Sequence, residues 1–183
     1  MNAGIVSSRY AKALLEYASE LHIEEDIYRS MFTLIASISE VKDFLVALQN
    51  PMLSSADKVN LVCEAAQDNS VHFTHFIKLV IKQGREEFLL FMAQSYIMLY
   101  RRHKNIASVK LTSAVALPHN IEQRIINLIK ECGYSEVELE NIVDDSIIGG
   151  FILETDSRRL DASLSGALRK IEKQIVDNNR RLV

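Results

Sequence analysis

Apolar residues return along the first hundred positions with the period of a helix. Tyr10, Leu14, Tyr17 and Leu21 fall at i, i+4, i+7 and i+11 and predict one stripe of an opening helix. Ile27, Met31, Leu34, Ile35 and Ile38 make a second stripe, and Val41, Phe44, Leu45 and Leu48 a short third. Asn50-Pro51 breaks the pattern, because proline disfavours helical geometry in the residue before it. Ser54 and Asp57 have capping-box spacing, so a fourth helix is expected from Ser54 or Ser55, with Val59, Val62, Ala65 and Ala66 inward. After the Asp68-Asn69-Ser70 turn signal, Phe73, Phe76, Ile77, Val80 and Ile81 form a fifth stripe that stops at Gly84. A sixth helix is predicted from about Glu86 to His103, with Phe88, Met92, Tyr96 and Leu99 inward. Its leading acids and its closing Arg101, Arg102 and Lys104 suit the helix dipole. Amphipathic helices joined by short turns predict a helical bundle over residues 1–105.

Beyond Asn105 the period shortens. Ala107, Val109 and Leu111 alternate with Ser108, Lys110 and Thr112, the two-residue repeat of a half-buried strand. Pro118 opens a helix with Ile121, Ile125, Leu128 and Ile129 on one face, ended by Gly133. Val137 and Leu139 alternate with Glu136, Glu138 and Glu140 as a second strand. Ile147 to Leu153 is read as a third strand, turning at Thr155-Asp156-Ser157 into a return arm from Arg158 to Leu164. A last helix uses Leu164, Leu168, Ile171 and Ile175 before a polar end from Asp177. Residues 106–183 therefore predict a small α+β unit, helix packed on sheet. The fold class is α+β, predominantly helical.

Composition narrows the function classes. Apolar content is 48% and charged content 25%, with two prolines and six glycines, an ordinary soluble globular balance in 183 residues. No stretch approaches the roughly 20 uninterrupted apolar residues of a membrane span, so no direct membrane insertion is expected. The first ten residues carry neither an apolar signal core nor an Arg-rich transit segment, which predicts action in the compartment of synthesis. Net charge is −3, with 11 basic against 12 acidic residues in 1–105 and 10 against 12 in 106–183. A nucleic-acid binder would concentrate positive charge, so no nucleic-acid partner is expected. Cys63 and Cys132 are 69 positions apart and read as buried, reduced thiols.

Candidate chemistry is sparse. His72 and His75 share a helix face, but zinc needs a third and fourth ligand and none is evident. Gly149-Gly150 lacks the Lys-Ser/Thr pair of a phosphate loop and lies in a predicted strand, where glycine marks a bulge or a close backbone approach. Asp144 and Asp145 are adjacent, hence on opposite faces of an extended segment, and read as a turn. No nucleophile-and-base arrangement has a local signature, so no catalytic residue, metal site or cofactor is expected. The residues alone point to a two-part interaction module. A nucleic-acid-binding adaptor would need a contiguous basic groove, and an enzyme a pocket of convergent polar groups.

The order of these segments resembles the delta subunit family of F-type ATP synthases, whose mitochondrial counterpart is the oligomycin-sensitivity-conferring protein. The resemblance is carried by Ser8-Arg9-Tyr10-Ala11-Lys12-Ala13-Leu14-Leu15-Glu16-Tyr17-Ala18, by Asn50-Pro51 with Lys58 and Leu61, and by Phe76 through Leu79 to Gly84-Arg85. In the second domain it is carried by Val109 to Ala114 with Leu117, by Val143 to Phe151, and by Asp161-Ala162-Ser163-Leu164. Asp145 stands where the family often has proline and Ala162 where it often has glycine, both local turn choices.

The resemblance implies a non-catalytic stator subunit. It implies an N-terminal six-helix bundle that caps the catalytic head and grips the amino-terminal helix of an alpha subunit between the first and fifth helices. Tyr10, Leu14, Tyr17, Phe76, Leu79 and Gln83 are the implied groove residues. The C-terminal domain is implied to hold the peripheral-stalk b subunits, with Gly149, Gly150, Asp161 and Ser163 as structural signature residues. Location on the cytoplasmic face of a bacterial inner membrane, as part of the ATP synthase complex, is the corresponding expectation.

Overall fold

The helical period becomes a run of α-helices in the computed structural model, which describes residues 3–41, 43–155 and 158–169. In order these are α1 (Ala3–Glu20), α2 (Glu24–Glu40), α3 (Phe44–Gln49), α4 (Ser55–Ala66), α5 (Val71–Lys82) and α6 (Leu89–Lys104). The chain divides into two compact units between His103 and Lys104. It is predominantly helical, with one small mixed sheet in the second unit.

Local chemistry sets the helix ends. Ser54 caps α4, its Oγ accepting from the Asp57 amide at 3.2 Å and donating to the Asp57 carboxylate at 2.7 Å. Ser70 caps α5 in the same way, accepting from the Phe73 amide at 3.3 Å. Gly84 stops α5 in a left-handed conformation, φ +60°, while the Arg85 amide donates back to the Val80 carbonyl.

The core of the first unit takes Ile27, Met31, Leu34 and Ile38 from α2, Val59 and Val62 from α4, and Phe73, Phe76, Ile77, Val80 and Ile81 from α5. Three expectations are corrected. The buried stripe of α1 is Ser7, Ala11, Leu14 and Ala18; Tyr17 is 40% exposed, and Leu21 lies beyond the helix. Small side chains take the inner face, and the larger rings turn outward. The sixth helix starts at Leu89, after a 3₁₀ turn at Glu86–Phe88, and buries Leu89, Met92, Ala93, Tyr96, Ile97 and Tyr100 in place of Phe88 and Leu99. Cys132 is exposed, whereas Cys63 is buried and its thiol is pushed up by that burial.

Polar ties lock α6 and the turn before it. Tyr96 donates its hydroxyl to the Glu24 carbonyl at 3.0 Å, and burial raises its phenol above the ordinary value. Arg101 donates to the Tyr28 hydroxyl at 3.1 Å and stacks over that ring, while Tyr28 stacks on Tyr100 with centroids 4.4 Å apart. The buried Lys58 ammonium of α4 meets Glu86 at 2.7 Å, with side chains only 8% and 16% exposed.

In the second unit β1 (Ile106–Ser113) is an inner strand of a sheet ordered β2-β1-β3-β4. The helix α7 (His119–Glu131) crosses over from β1 to β2 (Glu136–Val143), which pairs parallel to β1. The hairpin of β3 (Phe151–Thr155) and β4 (Arg159–Asp161) adds two antiparallel strands. Register sets one row across the sheet as Glu140, Lys110, Glu154 and Arg159, opposite charges side by side on one face. Asn141, in the row on the other face, donates to Glu122 of α7 and so marks the side that the helix covers. The apolar residues of α7 are only half covered, and Leu128 is 61% exposed. The third strand begins four residues later than the apolar run. Asp145–Ile147 form a 3₁₀ turn, with Asp144 accepting from the Ser146 amide at 2.9 Å, and Ile148 takes φ +67°. Gly149 and Gly150 therefore lie in the turn before β3, not inside a strand. Residues 164–169 open the last helix; Ile171, Ile175 and the polar end from Asp177 lie outside the described residues.

The Lys58–Glu86 pair gives the first prediction. Burial alone would raise the Glu86 carboxyl, but the hydrogen bond from Lys58 and a backbone hydrogen bond outweigh it and hold the group below its ordinary 4.5. A carboxyl depressed in the folded chain contributes stability above the unfolded value, and that contribution is lost as pH falls through the folded one. Lys58→Met is expected to cost about 2–3 kcal/mol at pH 7, because it strands a mostly buried carboxylate. Lys58→Met with Glu86→Leu should recover most of that loss and flatten the stability decline below about pH 4.5. Urea unfolding at pH 7 and pH 4 measures both.

Candidate functional site

A groove of about 560 Å³ runs between α1 and α5 of the first unit. Each helix uses two faces. On α1 the stripe of Ser7, Ala11, Leu14 and Ala18 packs inward, so Arg9, Tyr10, Ala13 and Tyr17 fall on the adjoining face and line the groove with Leu14. On α5 the buried face holds Phe73, Ile77, Val80 and Ile81, while His72, His75, Phe76 and Leu79 look into the groove. Leu14 and Phe76 form its floor at 5% and 8% exposure, and Leu79 stands on its lip at 50%. Tyr17 and His72 meet across it, the hydroxyl 2.6 Å from Nδ1 with ring centroids 5.7 Å apart.

Five of the six expected groove residues come together here: Tyr10, Leu14, Tyr17, Phe76 and Leu79. Gln83 does not. It is the exposed C-cap of α5, closing the last helical turn as its backbone amide donates to the Leu79 carbonyl. Sequence reading missed Arg9, Ala13, His72 and His75 as lining residues. Helical spacing could have found them, since 9, 13 and 17 on α1, and 72, 75, 76 and 79 on α5, each share a face. On sequence alone His72 and His75 read only as a candidate metal-ligand pair. Among the described residues no group of three His, Cys, Asp or Glu side chains is placed to hold a metal ion.

The signature residues of the second unit make a knot of backbone contacts. Gly150 has φ +79°, and a Cβ there would stand 2.2 Å from the Ala162 carbonyl oxygen. The Ala162 amide donates to the Phe151 carbonyl and the Leu164 amide to that of Gly149, so the turn before β3 is stitched to the start of the last helix. Ser163 is buried; its Oγ donates to Asp161 at 2.6 Å and accepts from the Gly166 amide at 3.0 Å, capping that helix. These contacts hold the turn before β3 to the start of the last helix.

Comparison with known proteins gives a consistent result. Residues 6–175 match the family model described as the ATP synthase delta (OSCP) subunit. Proteins named ATP synthase subunit delta from Bacteroides fragilis and Bacteroides thetaiotaomicron are 43% and 39% identical, over the whole of this chain and the whole of each relative. One of the same name from Lactobacillus acidophilus is 33% identical over 95% of this chain and 96% of its own length. In backbone shape the chain is similar to one in the cryo-EM structure of the Toxoplasma gondii mitochondrial ATP synthase hexamer. That match has a TM-score of 0.70 at 16% identity, covering 93% of this chain and 97% of the other.

Two measurements test this geometry. Gly150→Ala should destabilise the second unit by about 3 kcal/mol or more, since both φ and the Ala162 carbonyl oppose a side chain. Gly84→Ala, with φ +60° but open space around it, should cost only about 1 kcal/mol in thermal unfolding. Tyr17→Phe keeps the ring and removes the hydroxyl contact. It should change stability by no more than about 1 kcal/mol and shift the His72 ring signals in an NMR spectrum.

Proposed function

Because the chain belongs to the ATP synthase delta (OSCP) subunit family, we propose that it is the stator linker of that enzyme, a non-catalytic subunit that ties the catalytic head to the peripheral stalk. In this reading residues 1–105 act as a six-helix bundle, and the groove of α1 and α5 takes the amino-terminal helix of an alpha subunit. Residues 106–183 hold the end of the stalk b subunits. The assembly sits at the cytoplasmic face of a bacterial inner membrane, and this subunit joins it peripherally. Among the described residues no helix is long and apolar enough to cross a membrane.

The observation that carries the reading is the groove. Its floor is apolar, its length along α1 from Arg9 to Tyr17 is about 12 Å at 1.5 Å per residue, and it offers the two-turn footprint of an amphipathic helix. Tyrosine suits such a lip, burying its ring while the hydroxyl stays wet. The mechanical task needs no reacting group. A stator resists rotor torque through buried apolar contact and electrostatic fit, and release would let the head turn with the rotor and uncouple proton flow from ATP synthesis.

Titrating the full chain with a peptide of the alpha subunit's amino terminus tests the docking end. Leu79→Asp should weaken binding about 30-fold or more, the equivalent of about 2 kcal/mol for one lost apolar anchor, and Tyr10→Asp should act alike. Since Leu79 is half exposed, its variant should unfold within a few degrees of the parent. Binding untouched by both substitutions would remove the groove from the account.

A further inference from the structure

The groove is apolar below and one-signed above. Its polar lining consists of Arg9, Tyr10, Tyr17, His72 and His75, and no carboxylate stands among the lining residues. Arginine can only donate, and each of the others brings an N–H or O–H. The Tyr17 hydroxyl engages Nδ1 of His72, so His72 meets a partner through Nε2. The nearby acid on α1, Glu16, points at Lys12 of its own helix, 3.8 Å away, with both side chains largely in solvent.

We propose that the groove selects an amphipathic helix bearing carboxylates beside its apolar stripe, with Arg9 as the specificity-determining contact. The inference rests on the docking reading above and deepens it by stating what the occupant must carry. Apolar anchors on the floor supply affinity but would accept many helices. The lip discriminates among them, since a lysine-flanked helix would set cation against guanidinium, while an acid-flanked one completes a charge-assisted hydrogen bond. Rim pairs are exposed and individually modest, so selectivity comes as a several-fold change that salt erodes.

The test uses the full chain and the alpha-subunit amino-terminal peptide of the same organism, alongside an analogue with every Asp and Glu changed to its amide. The parent chain should bind the acidic peptide about fivefold more tightly than the amide form, with the gap closing between 50 mM and 500 mM salt. Arg9→Gln should lose about the same factor on the acidic peptide and little on the amide form, so that the double-mutant cycle is non-additive. Arg9 is exposed, and circular dichroism should show the variant folded. Equal binding of both peptides, an additive cycle, or a natural peptide without carboxylates that binds as well would overturn the charge selection while leaving the groove in place. Binding indifferent to Leu79→Asp would overturn the groove itself, and the charge selection with it.

Discussion

The first unit depends on how closely α1 can approach its neighbours. Ser7, Ala11 and Ala18 recur on one face, each fully buried, and around the single large residue Leu14 their small side chains let an 18-residue helix settle closely against the core. That choice has a second consequence. With the inner face given to small residues, Tyr10 and Tyr17 are forced round to the side, where they stand opposite the α5 residues that its own core face leaves over. The groove is thus a by-product of core packing, built from two helices and no loop. A docking surface on such elements keeps its shape before the partner arrives, which spares the ordering cost that a flexible site would add on binding.

Backbone approach plays the equivalent part in the second unit. Gly150 lets the turn before β3 come within contact of Ala162, and the amides of Ala162 and Leu164, donating to the carbonyls of Phe151 and Gly149, fix the short hairpin against the start of the last helix. Asp161 and Ser163 complete the same turn by capping that helix. Alanine at 162, where the family often has glycine, is accommodated because its side chain is exposed and the close contact is made by its carbonyl oxygen.

Much of this was legible in the sequence, and the failures share a cause. The stripes of α2 and α5, the Ser54 cap, the Gly84 stop and the switch to a two-residue period at Ala107 all follow from local rules. Periodicity ranks large apolar residues first, so it draws the stripe of α1 through Tyr10, Leu14, Tyr17 and Leu21 and leaves open whether the tyrosines pack inward or meet a partner, whereas the buried residues are Ser7, Ala11, Leu14 and Ala18. A run such as Ile147 to Leu153 looks like a strand because the pattern is blind to φ, and Ile148 and Gly150 both take positive φ. Arg9 is visible only as part of the opening motif, and His72 and His75 only as a pair on one face of their own helix. Their meeting depends on which faces α1 and α5 turn to each other, and no single helix encodes that.

The central claim is that the face shared by α1 and α5 is where the ATP synthase head is held. Placing a photo-crosslinking side chain at position 79 of the full chain, in the assembled enzyme, tests it without isolated parts. The account predicts a crosslink to the amino-terminal segment of an alpha subunit, and none from the same probe at the outward-facing position 78. An assembled enzyme whose position 79 links only to another subunit, or equally to position 78's neighbours, would contradict it.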